Sequence, residues 1–291
     1  MISVIIRTYN EKRHLDRLLT MVRDQEIDEP VEVVLVDSGS TDGTLDLARA
    51  HGCRILQIDK DRFSFGRSLN IGCAAAQGEC LAFISGHCVP VDQDWLRLLV
   101  TPLRENKVEY CYGRQVGDAT SKFSEGQLFR RYYPERSRIP QEGFFCNNAN
   151  AAIRRSSWSM HGFDEELTGL EDMAMGRQIV ARGGKVGYVA EACVFHIHDE
   201  TWRAIKNRYE REAIALQGIL PQVHVTFFDF LRYFSSAVLL DVGAALQDRK
   251  LARHAFEIVA FRLMQFWGSY RGNHEHRKLS QAMKDRYFYP R

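Results

Sequence analysis

The adjacent acidic residues Glu171 and Asp172 are the first candidates for chemistry in this sequence. A carboxylate can take the proton from a hydroxyl group while that oxygen attacks another atom, which is general base catalysis. Two acidic residues that follow a glycine-containing turn are also a common way to begin a helix, because the helix dipole stabilises negative charge there. The pair therefore either contains a catalytic base or only stabilises the start of a helix.

A third carboxylate, Asp37, follows the apolar run 31–36 and precedes a turn of small residues. Ligands of open α/β sheets bind at the carboxyl ends of the strands, so we expect Asp37 to face a crevice. A ribose hydroxyl or a base N–H could donate to it there. Ser40, Thr41 and Asp42 are expected to cap the helix that follows. Turn and cap chemistry alone would account for the same segment.

Short β-branched runs alternate with helical patterns over the first half of the chain, which predicts parallel strands joined by right-handed crossovers. The predicted strands are 3–7, 31–36, 54–58 and 80–84, and the predicted helices are 15–24 and 44–50. Polar segments follow three of the strands, at 8–11, 37–40 and 85–87. Because the carboxyl ends of parallel strands meet at one edge of a sheet, we expect these segments to converge on one site.

Long helical patterns without a strand signal begin near residue 201, so we predict a domain of residues 1–200 followed by a helical extension of residues 201–291. Five apolar residues of the extension recur at steps of three and four, which predicts one helix face: Phe256, Val259, Leu263, Phe266 and Tyr270.

The stretch 225–246 is apolar enough to raise the question of a membrane span. Three charges interrupt it, Asp229, Arg232 and Asp241, and the sequence offers no evident partner for them. Placing such charges in hydrocarbon is unfavourable, so the stretch favours an interfacial or core-packed helix over a membrane span.

Composition indicates a folded protein of the reducing cytosol. The chain has 291 residues, of which 45% are hydrophobic, and that is enough to build a core. Its seven cysteines are odd in number, form no CxxC pair and sit mostly beside apolar residues, as reduced buried thiols do. The first residues read as a strand and not as an export signal. We therefore expect a cytoplasmic protein.

Charge differs between the two predicted parts. Residues 1–200 hold 24 basic and 29 acidic side chains, whereas residues 201–291 hold 15 basic and 8 acidic ones. The basic residues of the extension include Arg249, Lys250, Arg253, Arg262, Arg271, Arg277, Lys278, Lys284, Arg286 and Arg291. We hypothesise that they attach the protein to anionic lipid at the inner face of a membrane.

Two other interpretations of this basic extension compete with membrane attachment. One is an oligomerisation helix, which would make the protein a homo-oligomer, and another is a solvated helix face. Nucleic acid is not an expected partner, because the extension lacks the interleaved aromatic and basic residues of single-strand binding sites.

Several short segments occur in a characteristic order: Arg7 to Glu11, Gly66 to Gly72, Gly162 to Glu165, Glu171-Asp172, Gly183 to Val186, and His196. Together they resemble the family 2 glycosyltransferases, the inverting group with the GT-A fold, over residues 2 to about 198. The segments 112–115, 147–154 and 196–198 resemble its rhamnosyltransferase-type branch. The resemblance implies an α/β fold, with a GT-A type nucleotide-binding domain, a mostly parallel central sheet and a C-terminal helical extension.

The resemblance also implies an activity. It is the inverting transfer of a sugar from a nucleotide-sugar donor, dTDP-rhamnose or a UDP-hexose, to a saccharide or lipid-linked saccharide acceptor, as in surface polysaccharide biosynthesis. A nucleotide-sugar-binding protein without activity is one alternative, which the retained acidic pair disfavours because a binder needs no base. A sugar nucleotidyltransferase is another, and the glycine-rich basic loop that it would need after the first strand is absent.

Roles in the family carry over to individual positions of this sequence. Asp172, next to Glu171, falls on the catalytic base. The positions expected to contact the nucleotide sugar are Arg7, Thr8, Tyr9, Glu11, Asp37, Arg67, Asn70, Ser85, Gly86 and His87. The amides in 147–150 could hydrogen-bond an acceptor sugar, and turn formation is the alternative for them.

The family usually holds Mn²⁺ or Mg²⁺ with an Asp-x-Asp pair after the strand that here ends at Ile84. This sequence has Ser85, Gly86 and His87 instead. Imidazole is a good ligand for Mn²⁺, so a metal site made from His87, His196 and donor phosphates is chemically reasonable. His196 matches the downstream histidine of the family's metal site.

A site without a metal is the alternative. His87 as imidazolium, together with Arg67 or Arg114, would then offset the phosphate charge directly. His198 is expected to have a structural role, because side chains two apart on an extended strand share a face but spread along it.

Overall fold

The β-branched runs form the strands of a mixed sheet. The structure, a computed structural model, describes residues 1–274 and 287–288. Within them the strands are β1 (Ile2–Thr8), β2 (Val31–Asp37), β3 (Arg54–Gln57), β4 (Cys80–Ser85), β5 (Cys88–Pro90), β6 (Tyr110–Val116), β7 (Asn150–Arg154) and β8 (Val186–His196). Their order across the sheet is β3-β2-β1-β4-β7-β6-β8-β5.

Parallel pairing joins β3, β2, β1 and β4, and it also joins β6 and β8. Strand β7 is antiparallel to both β4 and β6, and β5 is antiparallel to β8. The predicted α/β fold with a mostly parallel sheet core is confirmed. The two antiparallel strands have no counterpart among the predicted elements.

The sheet belongs to the first of two units, which comprises residues 1–118, 132–166 and 171–197. Its helices are α1 (Lys12–Arg23), α2 (Thr44–Ala50), α3 (Phe65–Ala75), α4 (Trp95–Arg104), α6 (Arg155–Ser159) and α7 (Glu171–Ala181). A short 3₁₀ turn covers Lys60–Arg62. The helix predicted at 44–50 begins and ends where α2 does.

The core of this unit forms around β1, which is buried on both faces as central parallel strands are. Its residues Ile2, Val4 and Ile6 have no solvent exposure. Helix α1 buries Leu15 and Leu18, and the next turn repeats the pattern, so one apolar stripe of the helix contributes to the same core.

The second unit comprises residues 119–131, 167–170 and 198–291. Its helices are α5 (Phe123–Tyr132, except for its last residue), α8 (Trp202–Ile219), α9 (Phe227–Gln247) and α10 (Leu251–Asn273). The division at residue 200 stays a prediction. Contacts group 119–131 and 167–170, which come earlier in the chain, with the C-terminal helices.

Charged residues of α9 have partners, contrary to the expectation from the sequence. Arg262 of α10 donates to both carboxylate oxygens of Asp241, at 2.7 and 2.8 Å, and both side chains are buried. Asp229 forms a capping box with Thr226, and Arg232 donates to Asp229 at 3.1 Å. A charged side chain between two packed helices can pair with an opposite charge on the neighbouring helix. The sequence of one helix alone does not reveal such a partner.

The apolar face predicted on α10 is also different from the buried one. Phe256, Val259 and Leu263 are exposed, whereas the buried face carries Ile258 and Phe261 among others. The periodic apolar residues therefore share a helix face, but that face is not the one that packs against the core. The basic residues Arg277, Lys278, Lys284, Arg286 and Arg291 lie outside the described residues.

All seven cysteines lie in the described part of the chain, and none forms a disulfide bond. Burial raises the pKa of the Cys73, Cys88 and Cys146 thiols well above the ordinary value, so these thiols stay protonated. Among the described residues, no helix combines the length and the apolar character that crossing a bilayer requires.

Replacement of Asp241 by Ala should lower the free energy of unfolding by about 3 kcal/mol, because it leaves the buried Arg262 guanidinium without its counter-charge. Urea denaturation followed by circular dichroism measures the change. Asp46→Ala is the control, since it breaks an ion pair with Arg49 in which the aspartate side chain is 82% exposed. Equal, small effects of the two substitutions would contradict a stabilising role for the buried pair.

Candidate active site

Polar residues meet where β1, β2 and β4 end side by side. The register pairs Thr8 with Asp37 on one side of β1 and Arg7 with Ser85 on the other. Three polar strand ends that were expected to converge therefore lie next to one another in the sheet. This edge of the first unit is the candidate site.

Asp37 is completely buried and its carboxylate is saturated with donors. Oδ1 accepts from the backbone N–H groups of Gly39 and Ser40, at 2.9 and 2.8 Å. Oδ2 accepts from Thr8 Oγ1 at 2.9 Å and from Ser40 Oγ at 2.5 Å. The carboxylate fixes the turn after β2. A contact between Asp37 and the ribose or base stays a prediction, and the nucleotide would have to replace one of these four donors.

Of the three residues expected to cap α2, only Asp42 contacts the start of that helix. Asp42 accepts from the backbone N–H of Thr44, at the start of α2, at 3.0 Å. Ser40 Oγ instead accepts from the backbone N–H of Asn10 at 2.8 Å, and Thr41 N–H donates to Asn10 Oδ1 at 2.8 Å. The capping prediction is therefore wrong for Ser40 and Thr41, which connect the loops that follow β1 and β2.

Asn70 and Arg67, both expected near the nucleotide, hold the loop around Phe163. Asn70 Nδ2 donates to Phe163 O and to Glu165 Oε1, both at 2.9 Å. Its Oδ1 accepts from Phe163 N at 2.8 Å and from Trp158 Nε1 at 3.0 Å. Arg67 Nε donates to Glu165 Oε2 at 2.7 Å. These contacts are structural, and contact with the nucleotide stays a prediction for both residues.

Tyr9, at the loop after β1, has a cation beside it that sequence reasoning missed. Lys60 Nζ lies 2.9 Å from the Tyr9 hydroxyl and 4.6 Å from the centroid of its ring. A single lysine in a short 3₁₀ turn gives no sequence signal, so only the fold reveals the pair. The arrangement places a phenol and a positive charge together at the strand edge, which suits an anionic nucleotide.

The acidic pair begins α7, as the structural interpretation of the sequence allowed, and both members are buried at 4% and 7% exposure. Glu171 Oε1 accepts from Arg7 Nη1 of β1 at 2.9 Å. Asp172 Oδ2 accepts from the backbone N–H of Asn148 at 2.9 Å, and its Oδ1 accepts from the backbone N–H of Met173 at 2.7 Å. The pair is thereby tied to the same strand edge as Asp37.

Burial, and then the neighbouring Glu171 carboxylate, raise the pKa of Asp172 from 3.8 to about 7. The hydrogen bonds from Asn148 and Met173 and the charge of Arg7 act in the opposite direction. A carboxylate that ionises near neutral pH takes up a proton more readily than an ordinary aspartate does, which is the property required of a general base.

Asn148 stands out among the amides of 147–150. It is 2% exposed, its Oδ1 accepts from Tyr110 Oη at 2.5 Å, and its Nδ2 has no hydrogen-bond partner among the described residues. Asn150, by contrast, donates to the backbone carbonyls of Arg114 and Ala192 and has a structural role. Asn148 contacts Asp172 through its backbone N–H, and its Nδ2 group, unpartnered in the described part of the chain, is an exception to the rule that buried donors are hydrogen-bonded.

His87 is oriented by a carboxylate. Its Nδ1 lies 2.8 Å from Glu11 Oε1, and its Nε2 lies 3.2 Å from Ser85 Oγ. Gly86 makes this approach possible, since a Cβ atom there would lie only 2.8 Å from Cγ of Glu11. Four of the positions that were predicted to contact the nucleotide sugar therefore form one cluster: Glu11, Ser85, Gly86 and His87.

His196 lies against His87, as the predicted metal site requires. The two rings stack with centroids 5.1 Å apart and an angle of 22° between their planes. Nδ1 of His196 lies 2.6 Å from the acceptor Gln115 Oε1, so this nitrogen is the donor of the contact and Nε2 is the nitrogen by which the ring would bind a ligand. An oxygen acceptor on one ring nitrogen is typical of histidines that bind a metal through the other.

The second unit has its own group of potential metal ligands, made by Glu125, His198 and Glu200. Arg208 Nη2 donates to Glu125 Oε1 at 2.9 Å and to Glu200 Oε2 at 2.7 Å. Although burial acts to raise it, the Arg208 charge lowers the pKa of Glu200 to about 2. With a guanidinium on both carboxylates, this group fits an ion-pair network that includes the His198–Glu125 hydrogen bond of 2.7 Å, and it does not fit a cation site.

Comparison with known sequences gives a consistent result. The family described as Glycosyl transferase family 2 matches residues 3–160. The O-antigen chain rhamnosyltransferase RfbN of Salmonella typhimurium is 30% identical over 222 residues, which cover 72% of this chain and 70% of that protein.

Two solved structures have a similar fold. The mannosyltransferase PcManGT from Pyrobaculum calidifontis, in complex with GDP-Man and Mn²⁺, aligns with a TM-score of 0.62 and 16% identity over 99% of this chain and 87% of that one. S. aureus TarS in complex with UDP-GlcNAc aligns with a TM-score of 0.53 and 17% identity over 95% and 93% of the two chains. At these identities the similarity concerns the fold.

Replacement of Arg7 by Gln should raise the pKa of Asp172 further, by about one unit, because it removes a nearby positive charge that favours the ionised carboxylate. Carboxyl ¹³C NMR titration measures the pKa. Arg7→Lys keeps the charge and should give a smaller shift, and Arg49→Gln, a surface control, should give none. An Asp172 pKa unchanged by Arg7→Gln would contradict the electrostatic link between β1 and α7.

Proposed function

The chain belongs to glycosyltransferase family 2, and from this premise we propose that it moves a sugar from a nucleoside diphosphate donor to a hydroxyl group of a saccharide or lipid-linked saccharide, with inversion. It is a glycosyltransferase that uses a nucleotide sugar. The proposal concerns the donor, the acceptor, the stereochemistry and the residues that perform the transfer.

The observation that carries the mechanism is the buried Asp172, with its raised pKa, at the start of α7. In its ionised form Asp172 takes the proton of the acceptor hydroxyl while that oxygen forms a bond to the anomeric carbon. The bond from this carbon to the diphosphate breaks at the same time, and its electron pair leaves with the nucleotide. Attack from the face opposite the leaving group inverts the configuration.

Glu171 and Arg7 support this chemistry without taking the proton. Their ion pair at 2.9 Å places a positive charge next to the acidic pair, which offsets part of the repulsion between the two carboxylates. The backbone N–H of Asn148 donates to Asp172 at 2.9 Å and so supports a fixed position of the carboxylate toward the acceptor hydroxyl.

The relatives support a donor of the rhamnosyl type. RfbN is an O-antigen chain rhamnosyltransferase, and we infer dTDP-rhamnose as the donor for this chain, with a UDP-hexose as the second candidate. The acceptor would then be a growing surface polysaccharide or its lipid-linked precursor. A thermal-shift panel of dTDP, UDP, GDP and CMP sugars distinguishes these donors, since a ligand that binds the folded state stabilises it.

His87 and His196 support a divalent cation at the site, although the usual acidic pair is replaced. Both rings have an oxygen acceptor at Nδ1, from Glu11 and Gln115, and the two rings are stacked. These histidines would hold Mn²⁺, with donor phosphate oxygens completing its coordination. When bound, the cation would stabilise negative charge on the departing diphosphate.

Asp172→Asn should lower the transfer rate by about 10²–10⁴-fold, because the amide cannot accept the proton. Donor affinity, measured by isothermal titration calorimetry, should stay within a factor of about two, since the base does not hold the nucleotide. Glu142→Gln, which changes an exposed carboxylate, should leave the rate unchanged. A normal transfer rate in Asp172→Asn would show that another residue is the base.

His87→Ala and His196→Ala should each weaken Mn²⁺ binding at least about tenfold, because each removes an expected ligand. Electron paramagnetic resonance of free Mn²⁺ in the presence of the donor nucleotide measures this without a need for turnover. His51→Ala, which changes a histidine paired with Asp16, is the control. Unchanged Mn²⁺ affinity in both variants would favour direct neutralisation of the diphosphate by protein cations.

A further inference from the structure

Helix α9 leaves most of its apolar surface uncovered. Only Phe230, Asp241 and Ala245 of its 21 residues are buried in the described structure. Phe228 is 82% exposed and Leu239 is 70% exposed. Fully exposed large apolar side chains on one element indicate an interaction surface when they are grouped.

The exposed residues of α9 are grouped. Phe228, Leu231, Leu239 and Leu246 fall on one side of a helix with 3.6 residues per turn, and Phe230 and Asp241 fall on the opposite side. We call these four residues the α9 stripe.

Helix α10 has a second stripe of the same kind. Phe256 is 78% exposed, and Val259 and Leu263 follow at steps of three and four on the same face. The two helices pack together, and an aromatic contact joins them, since the half-exposed Tyr233 stacks on Phe266 with 6.2 Å between ring centroids. We call Phe256, Val259 and Leu263 the α10 stripe.

The contact between α9 and α10 combines aromatic packing with a buried ion pair, and the ring of Phe230 lies 5.7 Å from that of Trp267 between centroids. Asp241 and Arg262 form a bidentate ion pair between α9 and α10, and Arg262 Nη1 also donates to the buried Gln265 at 2.8 Å. A helix pair surrounded by water normally keeps its large apolar side chains inside and presents polar groups to the solvent. The two exposed stripes depart from this arrangement, which indicates that something other than water covers them.

Charge identifies the covering surface. Arg249, Lys250 and Arg253 are exposed at the junction of α9 and α10, between the two stripes in sequence, and have no ion-pair partner among residues 1–274 and 287–288. The exposed acidic residue in this junction is Asp248. A surface with hydrocarbon and unpaired cations side by side matches a bilayer that offers acyl chains and anionic head groups together.

We propose that the α9 and α10 stripes, with Arg249, Lys250 and Arg253, lie on the surface of an anionic phospholipid bilayer. The stripes enter the head-group region and the three cations contact lipid phosphates. A second copy of the chain explains the cations less well, because a two-fold contact through this face presents each copy with the same positive junction. The inference rests on the second unit alone and does not depend on the transfer reaction.

Sedimentation of the full chain with vesicles tests the proposal. The chain should sediment with vesicles of phosphatidylglycerol and phosphatidylcholine in equal parts at low salt, and much less with pure phosphatidylcholine vesicles. Replacement of Arg249, Lys250 and Arg253 by Gln should lower the partition coefficient by about a hundredfold, since each basic residue contributes near an anionic surface. Failure of the chain to bind anionic vesicles would overturn the proposal.

A second variant tests the stripes themselves. Phe228→Ser, Leu239→Ser and Phe256→Ser together should lower binding at least about tenfold and leave circular dichroism unchanged, because these side chains are exposed in the folded chain. Met160→Ser with Val91→Ser is the matched control, since it removes exposed apolar side chains from the first unit. Binding that survives in the stripe variant, or a dimer in analytical ultracentrifugation that this variant alone abolishes, would assign the face to another role.

Discussion

Two adjacent buried carboxylates, Glu171 and Asp172, are the constraint on which the candidate site depends. Like charges in a poorly solvated place destabilise each other, so the fold must supply compensation. Arg7 supplies a positive charge from the central strand, and the backbone N–H groups of Asn148 and Met173 supply hydrogen bonds. The compensation is partial, because the pKa of Asp172 stays raised, and this leaves a carboxylate that can both hold and release a proton near neutral pH.

The same strand edge connects the other parts of the site. Thr8 follows Arg7 on β1 and donates to Asp37, whose carboxylate fixes the turn after β2. Glu11, in the loop after β1, orients His87 after β4. One segment of about five residues therefore serves the acidic pair, the turn expected near the nucleotide and the histidine expected near the phosphates, which explains why its sequence is polar throughout.

Sequence reasoning recovered features that depend on local patterns and missed those that depend on distant contacts. The β1, β2 and β4 strands and the α2 helix could be predicted because their apolar runs and turns are local. The antiparallel β7, the Asp241–Arg262 pair and the exposed stripe on α10 could not. Periodicity shows that apolar residues share a face, but the position of that face relative to the core depends on which helix packs against it. Asn70 illustrates the same limit, because its position in a family motif gave no sign that its amide holds the loop around Phe163.

The pH dependence of kcat/KM for sugar transfer by the unmodified enzyme tests the central claim most directly, because it reports the ionisation of the base in the free enzyme. The account predicts a rate that is low at acid pH, rises tenfold per pH unit as one group ionises, and levels off above a pKa of about 7, the value that burial and Glu171 give to Asp172. A rate that is already at its plateau well below neutral pH would contradict it, because Asp172 would then ionise like an ordinary, solvated aspartate.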